Sequence, residues 1–252
     1  MRYFLEIAYN GSGFHGWQRQ KNAMTVQEVM EKAISTKLRE VIVCNGCGRT
    51  DTGVHARQFF LHFETGQSLE AGFPTMLNFL LPRTILAKRL YQVEDNVHAR
   101  YSAISRTYQY KVVTVKNPFL LNLATFYYYP LHLEKLNAAA RLLLEYNDFK
   151  AFSKTGGNSK TTICEITEAH WTYSEGVYVF TISANRFLRS MVRILTGTML
   201  ETGADKMPLE RFHDILKSKD RHLSKRALEP DGLYLSRVDY PEGIFQTVKP
   251  QP

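Results

Sequence analysis

This sequence of 252 residues has few of the features that stabilise secreted or membrane proteins. It contains three cysteines, at positions 44, 47 and 164, which are too few for a disulfide framework. No amino-terminal apolar segment resembles a signal peptide or a membrane span. We therefore predict a cytoplasmic protein without membrane attachment.

Residues that could hold a metal ion are also scarce. Cys44 and Cys47 have the spacing of a redox pair, or of half a zinc site completed by His55 and His62. Against this, Cys44 ends an apolar stretch and Cys164 lies far along the chain. We expect neither a metal nor any other cofactor.

Negative charge is in deficit. The chain has 32 Lys and Arg against 24 Asp and Glu, which gives a formal net charge of +8 and a pI of about 9.3. Such a balance favours a polyanionic partner, because each phosphate that Lys or Arg neutralises releases condensed counterions. A basic but otherwise ordinary protein is the alternative. The 44% of hydrophobic residues is typical of a folded, soluble chain.

The first part of the chain predicts the element order β-α-β-β-α-β, which is the split pattern of ferredoxin-like sheets. Apolar residues alternate over 2–9, and Thr25 with Glu28 fits a capping box before a helical pattern. The core positions of that helix are Val26, Val29, Met30, Ala33, Ile34 and Leu38. The predicted elements are a strand at 2–9, a helix at 26–39, strands at 41–44 and about 58–64, a helix at 74–81 and a strand at 86–93.

The second part repeats this rhythm without repeating the sequence. Its predicted elements are strands at 106–115, 162–173, 177–184 and 232–240, and helices at 133–145, 187–202 and 208–218. We therefore predict an α+β protein of two ferredoxin-like halves, residues 1–103 and 104–252, with mainly antiparallel sheets. A cleft between two such halves is a common place for a ligand.

Asp51 lies in the glycine-rich turn NGCGRTDTGVHARQ, residues 45–58. The turn cannot be a dinucleotide loop, because Asp51 occupies the third glycine position and would repel a pyrophosphate. The tripeptide at 51–53 also matches aspartic proteases, which need two carboxylates that share one proton. The chain has one such tripeptide, and Arg49 favours a fully ionised acid. A purely structural turn is the remaining alternative.

Three basic stretches accompany this turn. Arg186, Arg189 and Arg193, in NRFLRSMVRILTG (185–197), have the spacing that would place them on one helical face. Tyr108 follows an arginine in SRTYQY (105–110), and KSKDRHLSKR (217–226) includes Lys225. Each stretch alone could be a solvated surface or an ordinary strand.

Together these stretches resemble the tRNA pseudouridine synthase A family. YNGSGFHGWQRQ (9–20) and GRTDTGVHA (48–56) are similar to its two opening motifs. LNFLLP (77–82), HARYSAISRTYQY (98–110), NRFLRSMVR (185–193) and GLYL (232–235) are similar to later blocks in the same order. The resemblance ends near Tyr240.

The resemblance implies a homodimer with the pseudouridine synthase fold. It further implies isomerisation of uridine to pseudouridine in the anticodon stem-loop of tRNA, at tRNA positions 38, 39 or 40, without cofactor or metal. A tRNA-binding or tRNA-folding protein with incidental catalysis is the alternative function.

The resemblance also assigns roles to residues. Asp51 would be the nucleophile, Arg193 would stabilise its charge, and Tyr108 would stack on the flipped base and help to remove the C5 proton. Arg49 would occupy the space that the flipped base leaves, and Leu233 would line the uracil pocket. We expect Gly48 and Gly53 to permit tight curvature and close approach of RNA, and expect further substrate contacts from His55, Arg189 and Lys225.

Two positions depart from the family pattern. The family's A-P-P-x-G-L reads LEPDGL here, at 228–233, so the first proline is absent. Cys164 stands where many members have arginine, which puts one RNA or structural contact in doubt.

Overall fold

A computed structural model describes residues 1–154, 156 and 161–248. The chain forms two compact units. The first comprises Met1–Ile104 and the residues from Leu235 onward, and the second comprises Ser105–Tyr234. The boundary predicted between residues 103 and 104 lies one residue from the first of these divisions. The sequence pattern did not indicate the return of the chain to the first unit at Leu235.

The first unit is built on an antiparallel sheet in the order β10-β4-β1-β3, with the short β2 paired to β3. Its predicted succession of strands and helices is confirmed except for the strand at 41–44, after which the short β2 begins at Asn45. The elements are β1 (Arg2–Tyr9), α1 (Val26–Leu38), β2 (Asn45–Gly46), β3 (His55–Glu64), α2 (Phe73–Asn78), β4 (Ile85–Val93) and, after the second unit, β10 (Gln246–Thr247).

Helix α1 begins and ends with identifiable caps. The hydroxyl of Thr25 accepts a hydrogen bond from the backbone N–H of Glu28 at 3.4 Å, which satisfies one of the free donors at the helix start. Arg39 follows the helix in the left-handed conformation, with φ of 56°, as residues just beyond a helix often do. The predicted cap and five of the six predicted core positions are confirmed, whereas Val29 is only half-buried.

The strand predicted at 41–44 is wrong. Val41 and Val43 are 93% and 65% exposed. The backbone of this segment is hydrogen-bonded to side chains of α1 and not to a neighbouring strand. The N–H of Ile42 donates to Oγ of Ser35 at 2.9 Å, and the N–H of Cys44 donates to Oε1 of Glu31 at 3.1 Å. Because these side chains satisfy the backbone donors, an apolar alternation occurs here without a sheet.

Strand β1 is buried on both faces from Tyr3 to Leu5, although its alternating pattern predicted one core face. The ring of Phe4 packs edge-on against Tyr240 at 5.6 Å and Phe245 at 5.9 Å between centroids. Both partners belong to the segment that returns to the first unit. This returning segment therefore covers the face that the local pattern assigned to solvent.

The second unit has the predicted order of strands and helices, built on antiparallel pairing of β8 with both β5 and β7. A short strand, β6, runs parallel to β5. Among the described residues, no helix has the length and apolar character that crossing a membrane requires. The elements are β5 (Ser105–Val113), β6 (Thr125–Phe126), α3 (Leu133–Leu142), β7 (Ile166–Ser174), β8 (Val177–Ala184), α4 (Met191–Gly203), α5 (Leu209–Ser218) and β9 (Leu233–Asp239), whose last five residues belong to the first unit.

Helix α4 begins later than predicted, and this corrects the arrangement of the arginines. Ser190 precedes the helix with φ of 59°, a left-handed conformation that cannot continue a right-handed helix. Arg186 and Arg189 therefore lie in the connection after β8, and of the three arginines Arg193 alone is helical. The predicted common helical face does not exist.

A buried histidine in the first unit predicts a pH-dependent stability. His62, on β3, is 3% exposed, and its Nδ1 accepts the N–H of Ala99 at 3.1 Å. Burial, followed by the nearby His98 and Arg2, lowers the pKa of His62 to about 4, against a weaker opposing effect of Glu64.

In the unfolded chain this histidine titrates near pH 6.5. Between about pH 6.5 and 4 the unfolded state binds a proton at this histidine and the folded state does not. The free energy of unfolding should therefore fall as pH is lowered from about 6.5 toward 4. Urea unfolding at several pH values in this range measures the slope of the free energy of unfolding against pH. In His62→Asn this slope should be smaller. Equal slopes for the two proteins would contradict the prediction.

Candidate active site

The loop that carries Asp51 joins β2 to β3 and is held by backbone hydrogen bonds. The carbonyl of Thr50 accepts from the N–H of Trp17 at 3.3 Å, and the N–H of Gly53 donates to the carbonyl of Phe14 at 3.2 Å. Asp51 itself is half-buried. The loop after β1 therefore restrains the backbone on both sides of this carboxylate.

Side chains strengthen the same attachment. The hydroxyls of Tyr9 and Thr50 lie 2.9 Å apart in the interior, and the ring of Trp17 packs on Phe59 with centroids 4.3 Å apart. These contacts link β1, the following loop, the Asp51 loop and β3. The backbone around Asp51 is thus part of the core of the first unit.

Two glycines allow this close approach. Gly16 has φ of +82°, and a Cβ built on it would lie 2.4 Å from the carbonyl oxygen of Thr50. Gly53 has φ of 79°, which favours glycine and agrees with the predicted curvature. Gly48 also lies in a bend, but its φ is not positive and an added Cβ would meet no described atom within 4 Å, so this position does not require glycine.

The neighbours of Asp51 differ in exposure. Arg49 is exposed, and its Nε donates to Oε1 of Gln18 at 3.2 Å. His55 is 2% exposed, and its Nδ1 accepts the N–H of Gly11 at 3.0 Å. Arg49 is therefore held at the surface, whereas His55 fastens the loop after β1 to the start of β3. The expected contact of His55 with substrate stays a prediction.

In the second unit, Tyr108 lies on β5 opposite Ile182 of β8. Its ring is half-buried and meets the ring of Phe187 edge-on, with centroids 5.1 Å apart. Phe187 lies in the connection before α4. An edge-on contact of this kind fixes the plane of the tyrosine ring.

Arg193, in the first turn of α4, is oriented by the backbone of another segment. Its Nε donates to the carbonyl of Leu228 at 2.6 Å, and the N–H of Leu228 donates back to the carbonyl of Arg193 at 3.3 Å. This reciprocal pair fixes one edge of the planar guanidinium.

The remaining predicted residues of the second unit occupy different environments. Leu233 is buried at the start of β9, and Arg189 is exposed. The ammonium of Lys225 lies 3.0 Å from a carboxylate oxygen of Glu201. Lys225 is thus already paired within the protein, which weakens its case as a substrate contact.

The thiol of Cys44 is poorly suited to redox or metal chemistry. Cys44, Cys47 and Cys164 are free and buried, and burial, reinforced by Glu31, raises the pKa of the Cys44 thiol. A thiol that stays protonated is a poor nucleophile and a poor metal ligand. Within the described ranges, no group of three or more His, Cys, Asp or Glu side chains could hold a metal ion.

Each unit therefore brings together part of the predicted set. The first unit places Arg49, Asp51, Gly53 and His55 on one loop and the strand that follows. The second unit contains Tyr108, Arg189, Arg193, Lys225 and Leu233. Two anchors of arginines, Gln18 and the carbonyl of Leu228, were not predicted from the sequence. Gln18 lies within the quoted motif at 9–20, whereas a backbone carbonyl leaves no sequence signal.

Comparison with known families agrees with these local features. Residues 7–102 and 139–241 match the family described as tRNA pseudouridine synthase. The two matched stretches together include the loop of Asp51 and most residues of the predicted set. Their extent is well over half of the chain.

Individual relatives match over nearly the whole length. A tRNA pseudouridine synthase A of Bacteroides thetaiotaomicron is 44% identical over 248 residues, which cover 97% of this chain and 92% of the relative. The protein of the same name from Porphyromonas gingivalis is 43% identical, with 97% and 99% covered. That of Escherichia fergusonii is 37% identical, with 98% and 92% covered.

Proposed function

Since this chain belongs to the tRNA pseudouridine synthase family and is an enzyme that isomerises uridine in tRNA, we propose that Asp51 is its nucleophile and the anticodon stem-loop its target. The observation that carries the assignment is that Asp51 is half-buried on a loop whose backbone is hydrogen-bonded to the preceding loop on both sides of it. A fixed position favours a nucleophile, because the entropic cost of orienting it is not paid again in the transition state.

The isomerisation exchanges one bond to the ribose for another. The bond between N1 of uracil and C1′ breaks, the base turns, and C5 bonds to C1′. The proton at C5 leaves and a proton is added at N1, so the atoms balance without a redox partner. A carboxylate can divide this exchange into easier steps, by attack at C1′ or by promoting a transient glycal. Both routes need Asp51 in its ionised form.

The proposal assigns Arg193 to the charge of that carboxylate. The family resemblance motivates the assignment, and the fixed guanidinium of Arg193 supports it. An opposite charge offsets the free energy lost when an ionised acid is removed from water. The absence of the first proline at 228–233 leaves this anchor intact, because the carbonyl of Leu228 supplies it.

Three further residues would stabilise the flipped uridine and the stem that it leaves. A stacked uridine cannot reach Asp51, so it must leave the stem at a cost of about a few kcal/mol. We assign Arg49, which is exposed on the loop of Asp51, to the space that the base vacates. Tyr108 would stack on the flipped uracil and help to remove the C5 proton, and Leu233 would line its pocket. His55 would act by positioning the loop.

The family resemblance also motivates two proposals about the whole molecule. We propose that the chain forms a homodimer and that it acts in the cytoplasm, where tRNA is modified. Size-exclusion chromatography with light scattering measures the first, and a monomer across micromolar concentrations would contradict it.

The reaction is tested with tRNA that carries tritium at C5 of uridine. Purified protein, incubated with a chelator, should release the label to water from tRNA whose anticodon stem contains uridine. A matched tRNA in which those uridines are replaced by cytidine is the control. Release that is equal from both would contradict the anticodon stem-loop as the target.

Arg189 provides a test of tRNA binding. Its exposed guanidinium should contact a phosphate, so Arg189→Ala should weaken tRNA binding and reduce the slope of log affinity against log salt by about one unit. Lys225→Ala should change the slope less, because its ammonium is paired with Glu201. Arg211→Ala, at another exposed arginine, is the control. Equal slopes for wild type and Arg189→Ala would place Arg189 on a solvated surface.

A further inference from the structure

A buried hydroxyl in the second unit holds the segment that orients Arg193. Tyr110 lies on β5, its side chain is 0% exposed, and its hydroxyl donates to the carbonyl of Glu229 at 2.6 Å. The same hydroxyl lies 2.6 Å from Oγ1 of Thr125 on β6. The single proton of this hydroxyl goes to the carbonyl of Glu229, and a buried hydroxyl keeps such a bond because it has no water to replace it.

The segment 228–232 is attached at several successive points. Oγ1 of Thr125 donates to Oδ1 of Asp231 at 2.8 Å. A Cβ built on Gly232 would lie 2.6 Å from the carbonyl of Lys111 and 2.8 Å from the ring of Tyr110. The strand pair β5 and β6 therefore supports this segment at Glu229, Asp231 and Gly232.

The same segment binds Arg193 and leads into Leu233, both of which have proposed roles. The carbonyl of Leu228 accepts from Nε of Arg193 at 2.6 Å, and Leu233 follows directly after Gly232. Glu229 stands where the family pattern has proline, so no ring restricts its φ. The bond from Tyr110 therefore restrains the carbonyl of Glu229, one peptide beyond the carbonyl that Arg193 binds.

We propose that Tyr110 is a positioning residue, which acts through the segment 228–232 to hold the guanidinium of Arg193 in its working orientation. The inference rests on the proposed role of Arg193 in the reaction. Burial, followed by the charges of Asp231 and Glu229, raises the pKa of Tyr110 against the opposing effects of Thr125 and Arg193. The phenol consequently remains protonated and keeps donating at every pH at which tRNA is stable.

Tyr110→Phe removes one oxygen and leaves the ring in place. We expect kcat for tritium release to fall about tenfold, since small displacements of catalytic groups have effects of this size or larger. The KM for tRNA should stay within about twofold, because neither Tyr110 nor Arg193 is assigned to tRNA affinity. Tyr178→Phe is the matched control, since that hydroxyl donates to the carbonyl of Leu131 at 2.9 Å in the same unit but does not support 228–232. If Arg193→Ala abolishes turnover, an unchanged kcat in Tyr110→Phe, or an equal fall in both tyrosine variants, would overturn the proposal.

A spectroscopic readout keeps the inference separate from the proposed function. In ¹⁵N-labelled wild type, the Nε–H of Arg193 should exchange slowly with water because it is bonded to Leu228. Its exchange should accelerate by about tenfold in Tyr110→Phe and remain slow in Tyr178→Phe. If exchange responds in this way but Arg193→Ala retains turnover, the positioning stands and the catalytic assignment of Arg193 fails.

If exchange does not respond, the positioning fails whatever the activity. Should Tyr110→Phe not fold, Thr125→Val removes the neighbouring hydroxyl and should give the same two effects in smaller measure. A Thr125→Val protein with wild-type kcat and wild-type exchange would then count against the proposal.

Discussion

Asp51→Asn should reduce pseudouridine formation on the order of 10⁴-fold or more, which is the scale on which enzymes lose activity without a catalytic carboxylate or nucleophile. The amide has the size of the carboxylate but neither its charge nor its nucleophilicity. Tritium release under single-turnover conditions measures the loss. The affinity for tRNA should remain within about an order of magnitude, since the phosphate contacts come from other residues.

The control for this change is Asp95→Asn, which removes the same charge from an exposed position of the first unit. It should leave turnover unaltered. If Asp51→Asn retained wild-type turnover, the assignment of the nucleophile would be wrong. The variant also separates catalysis from tRNA folding, because a protein that acts only as a folding partner would keep its effect on tRNA structure.

Gly16→Ala should both destabilise the first unit and lower turnover. Left-handed backbone costs a residue with a Cβ about 1–2 kcal/mol relative to the right-handed region. At this position the new methyl would also lie 2.4 Å from the carbonyl oxygen of Thr50 and 3.1 Å from the carbonyl carbon of Asp51. The loop must therefore move away, and the nucleophile moves with it. Urea unfolding and tritium release measure the two effects.

Gly176→Ala separates the two causes. Gly176 has φ of +80° in the turn between β7 and β8, and its Cβ would meet no described atom within 4 Å. This variant should show the conformational cost alone and retain turnover. If both variants lost the same free energy of unfolding and kept the same activity, the contact between Gly16 and the loop of Asp51 would have no role.

Local patterns were sufficient for most of the elements. The alternation at 2–9 gave the correct bounds of β1, and Thr25 marked the start of α1. Such signals are local, because a cap or a period of two depends on residues close in sequence. For the same reason the motif around Asp51 could be recognised, with Arg49 and Gly53 at short, definite distances along the chain.

The errors arose where distant residues compete with a local pattern. At 41–44 the alternation was real, but side chains of α1 took the backbone hydrogen bonds that a strand would use. At Arg189 the helical spacing was interrupted by the left-handed Ser190. On β1, Phe4 is buried because Tyr240 and Phe245 return from the far end of the chain to cover it.

Residue types and their spacing thus indicate the family, the α+β class and the acid expected to do the chemistry. These features depend on side-chain types at fixed distances along the sequence. Folding adds the restraint of that acid and of its proposed partner. The carbonyl of Thr50 anchors one and the carbonyl of Leu228 anchors the other. Every residue has a backbone carbonyl, so the sequence does not show which carbonyl will bind a given side chain. The tertiary path of the backbone decides that partner.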